Sequence, residues 1–234
     1  MLGWASLVLV GATVGLGLVL PRSQEQAEYS RLIAVHPPAA WASYVAVGVA
    51  AVAAVGFLLT RRAGWDRVTI AGLEVGAVFT AITLATGSIW GRPTWGVWWE
   101  WDARLTTEAL LLAVLLGTVA LRRSLAPGLG RAVITSVAAV ATVGLLPVVH
   151  FSVQWWRSQH QAGTLLAPDP ATNADNPYIV AMLVGFVAFT VLLAWMVVQR
   201  ARIEGLEEEA EGVALEHAIT ERRAEGRPAS GVTA

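Results

Sequence analysis

Six long apolar stretches, at about 2–20, 38–60, 68–89, 105–121, 131–150 and 178–199, leave this chain few ways to fold. A helix rises about 1.5 Å per residue, so about 20 mainly apolar residues cross the hydrocarbon core of a bilayer. In lipid every backbone N–H and C=O must also find its partner within the segment or within a closed barrel. The stretches therefore predict an all-α membrane protein, a six-transmembrane-helix bundle with outward-facing aromatic loops. Composition agrees, since 56% of the residues are hydrophobic and only 14% are charged. The first stretch reads as a span and not as a cleaved signal: it has no basic start, and Leu20-Pro21-Arg22 offers no small-residue cleavage site. Two regions follow: a six-span domain over 1–202 with an external tryptophan-rich loop at 90–105, and a polar cytoplasmic tail over 203–234. The tail is expected to be helical at 204–223 and disordered at 226–234.

Every one of the 16 basic residues is arginine. Arg61, Arg62, Arg67, Arg122, Arg123, Arg131, Arg200 and Arg202 follow the even-numbered spans, whereas Arg22, Arg31, Arg92, Arg104 and Arg157 lie in the alternate loops. The positive-inside bias places both termini in the cytoplasm and the aromatic loops outside. Within the first span, Gly11 and Gly15 stand in Gly-x-x-x-Gly spacing with Gly17 beyond; packing inside the bundle is the favoured reading and a second subunit the alternative. Glu25, Glu28 and Arg31 fall at helical spacings, which predicts a short amphipathic helix along the outer interface. Trp65, in a short basic turn over 61–66, is expected as an interfacial anchor. Glu74 lies about two turns into the third span and has to be protonated or paired there, as a relay or as a structural hydrogen bond to a neighbouring helix.

The second outer loop is unlike ordinary membrane sequence. Trp90, Trp95, Trp98, Trp99 and Trp101 are five of the chain's 11 tryptophans. An aromatic belt needs only one or two rings per helix end. Gly91, Pro93 and Gly96 are expected to interrupt a helix here, leaving a flat, π-rich shelf suited to a large planar ligand held by stacking and area burial. Asp102 is placed to N-cap the fourth span through the amides of Arg104 or Leu105. Arg92 and Arg104 bracket the shelf and can pair with carboxylates, either a ligand's or those of Glu100 and Asp102. Glu108 is expected near the interface.

Three of the chain's four histidines lie on the same outer side. His36, ahead of Pro37-Pro38, is expected on extended backbone at the mouth of the second span, because a residue before proline avoids the helical region. His150 and His160 flank Trp155, Trp156 and Arg157 after the fifth span. An aromatic shelf, histidines from segments on either side of it and nearby arginines fit haem: imidazoles for the iron, tryptophans for the porphyrin and arginines for the propionates. The chain has no cysteine, so haem b would be held non-covalently, without thioether bonds. A haem- or quinol-binding subunit of a membrane oxidoreductase is the alternative, disfavoured because no histidine lies mid-span. A zinc site of His36, His150 and His160 has no His-Glu-x-x-His motif behind it.

The stretch from Trp90-Gly91 through Trp95-Gly96 to Trp99-Glu100-Trp101-Asp102-Ala103-Arg104-Leu105-Thr106 resembles the tryptophan-rich signature of the WWD-domain proteins that handle haem in cytochrome c maturation. With six spans, Val35-His36-Pro37-Pro38-Ala39 and the segment from Trp155-Trp156 to His160-Gln161, the chain is most similar to the CcmC family, the haem exporter C proteins. The resemblance covers about residues 25–199 and implies a protein without covalent chemistry of its own. It implies an outward haem site at the bacterial inner membrane, loading of the haem chaperone CcmE, and CcmA, CcmB and CcmD as further partners, beside membrane lipid and with no nucleic acid. Carried onto this chain, the iron ligands are His36 and His160, with His150 the alternative to His160 and otherwise a hydrogen-bonding neighbour. Trp95, Trp99 and Asp102 match the essential positions, with Trp90, Trp98 and Trp101 in support. The double proline after His36 departs from the single one expected.

Overall fold

The computed structural model describes residues 1–22, 24, 26–160 and 176–225. Glu25, Gln161, residues 168–175 of the last interhelical connection and the 226–234 end lie outside the described residues. Within them the regular structure is helical: α1 (Leu2–Val19), the 3₁₀ helix η1 (Glu28–Ala34), α2 (His36–Thr60), α3 (Ala63–Trp95), α4 (Ala103–Ser124), α5 (Leu129–Thr142), α6 (Leu145–Trp155) and α7 (Asn176–Glu225). Six crossings are long and apolar enough for a membrane, with α5 and α6 together making the fifth over Leu129–Trp155. The protein is thus a multi-pass helical bundle, as its apolar stretches require.

Small residues set the packing. Ala42, Ala46, Ala50 and Ala54 bring α2 close to α3, and at Gly72 a Cβ would stand 2.9 Å from the Cβ of Ala50. That leaves no room for a side chain. Between them, the Ser43 hydroxyl meets the Thr80 hydroxyl at 2.6 Å, and Thr80 in turn donates to the Gly76 carbonyl at 2.8 Å, so both are paired in the apolar interior. Leu111 and Leu115 of α4, Ala139 of α5 and Val149 of α6 close one side of this pair, and Phe189 and Leu193 of α7 close the other.

Several expectations are corrected here. The fifth crossing is broken at 143–144, because Pro147 has no N–H to offer the Val143 carbonyl and its ring crowds it. α6 then runs on to Trp155, so His150 sits inside a helix, within the last turns of the fifth crossing. The basic turn is only two residues long, since Trp65 and Asp66 already belong to the first turn of α3. In α1, Gly11 and Gly15 face open space, with nothing within 4 Å of where a Cβ would stand. The bundle instead uses the opposite face of α1, where Ser6 and Thr13 are buried and Gly3 lies under Trp195 of α7. The interfacial segment winds as the 3₁₀ helix η1, with Glu28 paired to both Arg22 and Arg31.

At the end opposite the tryptophans, charges from three helices form a network. Arg122 of α4, whose side chain is 3% exposed, bonds Asp66 of α3 at 2.9 and 2.8 Å and Glu204 of α7 at 2.8 Å. Arg200 pairs with Glu204 at 2.9 Å and with Glu74, which also takes Arg123 at 3.0 Å. Glu74 is therefore paired, one of the two states expected of it. α7 passes 202–203 without a break and is anchored beyond that point by Glu204 and by Glu208, which meets Arg67 at 2.8 Å.

Candidate functional site

The other end of the bundle gathers the singled-out residues. α3 does not stop at Gly91. It runs through Pro93 to Trp95 and ends at Gly96, whose φ of 82° gives the left-handed C-cap and whose N–H reaches the Arg92 carbonyl at 3.0 Å. Proline at 93 removes one helical hydrogen bond, but its φ is already helical, so the last turn survives. Trp90 and Trp95 are thereby carried on a rigid helix, and only 96–102 is a loop. Gly91 permits the arrangement: a Cβ there would lie 3.0 Å from the Trp95 ring.

His36 is likewise not on extended backbone. It is the first residue of α2, and Pro37 and Pro38 cost nothing because first-turn N–H groups have no helical acceptor to lose. Its Nδ1 lies 3.0 Å from the Thr86 hydroxyl of α3, and the Trp90 ring stands edge-on at 5.8 Å. Trp90 is itself held by an N–H···O bond of 2.9 Å to Gln26.

The second histidine is held from across the site. Asp102 caps α4 by accepting the Arg104 amide at 2.8 Å, as its position predicted. The same carboxylate accepts the Ser158 hydroxyl and meets His160 Nδ1 at 2.9 Å. Trp95 packs on His160 with ring centroids 4.7 Å apart. Burial drives the His160 pKa down; the Asp102 contact opposes this without reversing it, so the imidazole stays neutral below the ordinary histidine range. Burial works to raise Asp102, but hydrogen bonds from His160, Arg104 and Ser158 outweigh it and hold the carboxyl below its usual value.

Among the described residues neither Nε2 has a hydrogen-bond partner. Arg104 donates to the His150 carbonyl at 3.0 Å, yet among the described residues its buried Nε has no acceptor, and the buried Trp99 Nε1 also lacks one. Two imidazoles with open nitrogens, flanking tryptophans and unmatched donors fit an iron porphyrin bearing acidic side chains. His150 faces elsewhere, against Tyr44 at 6.3 Å and Phe151 at 4.8 Å.

The remaining tryptophans of this end are exposed: Trp98, Trp101, Trp155 and Trp156 are all more than half exposed, with Trp101 against Trp99 at 5.4 Å. Trp155 stacks on Phe151, Arg157 is exposed, and Arg92 folds back onto the Gly96 carbonyl and meets no carboxylate among the described residues. Glu108 is 4% exposed on the inner face of α4, one turn below Arg104, and its Oε1 has no partner among the described residues. Three contributors were not anticipated: Thr86, Gly87 and Ser158. Their one signal was small polar residues one helical turn ahead of Trp90 and two residues ahead of His160.

The fold and this site define a class, a multi-pass membrane protein presenting histidines, tryptophans and an arginine at one end of its bundle. The family model for heme exporter protein C matches residues 1–216. Heme exporter protein C of Haemophilus influenzae is 35% identical over 211 residues, covering 90% of this chain and 85% of that protein. The Bradyrhizobium diazoefficiens protein of the same name is 34% identical over 192 residues (80% and 71%), and that of Escherichia coli K12 is 38% identical over 180 residues (73% and 71%). The chain belongs to the CcmC family, the heme exporter C proteins. That is a family of transport and cytochrome c maturation proteins, not of enzymes, in line with the sequence expectation.

Proposed function

We propose that the protein binds non-covalent haem b between His36 and His160 at the outer face of the bacterial inner membrane and passes it to the haem chaperone CcmE. CcmA, CcmB and CcmD act in the release of the loaded chaperone, and both termini are cytoplasmic. The observation that carries this reading is that each imidazole is tethered through Nδ1, to Thr86 and to Asp102, and leaves Nε2 unpartnered among the described residues, beside a tryptophan. Trp90 and Trp95 flank the ligand, Arg104 answers a propionate, and Trp99 supplies a further donor. Trp98, Trp101, Trp155, Trp156, Arg92 and Arg157 form the exposed rim where a partner collects the cargo. A site open at one membrane face suits transfer, because cargo leaves without crossing the bundle again.

The test is the absorption and EPR spectrum of detergent-purified protein and its single variants. His36→Ala and His160→Ala each lose the bis-histidine signature, while His150→Ala keeps it. Loss with His150→Ala and retention with His160→Ala would reassign the second ligand, and protein that never carries haem would end the proposal.

A further inference from the structure

We propose that Thr86 is the positioning residue for His36: it holds the imidazole as the Nδ1–H tautomer and turns Nε2 toward the cargo iron. The reading of His36 as an iron ligand underlies the functional half of this inference; the tautomer stands on geometry alone. The Thr86 hydroxyl has a single proton. Its oxygen lies 2.7 Å from the Ile82 carbonyl and 3.2 Å from the Thr83 carbonyl, both of which can only accept. With that proton spent on the helix backbone, the hydroxyl oxygen meets His36 Nδ1, at 3.0 Å, only as an acceptor. The ring nitrogen must then carry the hydrogen. Nε2 is left with its lone pair free.

Sterics hold the ring where the hydrogen bond aims it. A Cβ on Gly87 would lie 3.1 Å from His36 Cε1, so the ring rests against bare backbone, and the Trp90 edge closes the third side at 5.8 Å. Thr86, Gly87 and Trp90 lie within about one turn of α3 and together form a seat for the ring.

The two seats differ in charge. His160 leans on the Asp102 carboxylate, and His36 on a neutral hydroxyl. A carboxylate partner makes an imidazole a stronger donor than a neutral acceptor does. By that rule His36 is the weaker donor of the two.

Haem-free, full-length protein with ¹⁵N-labelled histidine, in detergent, tests the tautomer directly, since the two tautomers differ in ring-nitrogen shifts. Wild type and Thr86→Ser show His36 as Nδ1–H, and Thr86→Val shows a mixture or the Nε2–H form. An Nε2–H His36 in wild type, or no change in Thr86→Val, overturns the inference. The loaded protein gives the second readout, haem loss to an apo-globin acceptor. Thr86→Val releases haem about 10–100-fold faster, as for other outer partners of metal-bound histidines. Thr86→Ser stays near wild type, and Gly87→Ala behaves like Thr86→Val. Release from Thr86→Val at the wild-type rate overturns the positioning role. If His36→Ala keeps a bis-histidine spectrum, the ligand assignment fails while the tautomer result still stands or falls by the nitrogen shifts.

Discussion

Asp102 carries two tasks with one carboxylate: it stops the loop by capping α4, and it seats His160. The cap was legible in the sequence, because an aspartate directly ahead of an apolar helical run has a local acceptor role. The contact with His160 was not, because it joins residues 58 apart in the chain. The pairing has a pH consequence. Both groups have folded pKa values below their ordinary ones. The stability each contributes is present above its unfolded pKa and is lost as pH falls toward the folded value. For His160 the loss begins near the ordinary histidine pKa of about 6.5, and for Asp102 near about 3.9. His160 should therefore titrate below about 6.5 by NMR. Asp102→Asn should lower its pKa further, because the carboxylate opposes the effect of burial. A value at or above the ordinary one in either protein would contradict this geometry.

Among the elements, α3 departs most from sequence expectation. Gly91, Pro93 and Gly96 all read as interruptions, yet only Gly96 ends the helix, because only Gly96 adopts positive φ there. Composition identified an aromatic segment but could not say how many of its rings ride on the helix. α7 offers the corresponding test of packing. At Gly185 a Cβ would collide with the Ala34 carbonyl and with Pro38, two residues after His36. Gly185→Ala should cost about 1–3 kcal/mol in SDS-induced unfolding. It should also disturb the His36 axial signature, because the helix that begins at His36 has to move. Unchanged stability and spectrum together would mean that α7 does not press on this end of α2.

Across the whole molecule, polar chemistry sits at the two ends and the middle is apolar. One end holds the histidines; the other is tied by Arg122, Asp66 and Glu204 from three different helices. Arg122→Met leaves two carboxylates without their buried cation and should destabilise the bundle by roughly 3–5 kcal/mol. Chemical or thermal unfolding would check this, and a change under about 1 kcal/mol would mean that water screens the network as it does an exposed pair. Sequence by itself determined the number of crossings, the helical class and the residue types at the tryptophan-rich end. Those follow from the cost of exposing backbone and charge to lipid, which depends on local composition alone. Tertiary structure decided which face of α1 packs, that Glu108 is buried, and which atoms face each imidazole. These depend on contacts between helices distant in the chain, such as Thr86 with His36 and Asp102 with His160, and no local rule encodes them.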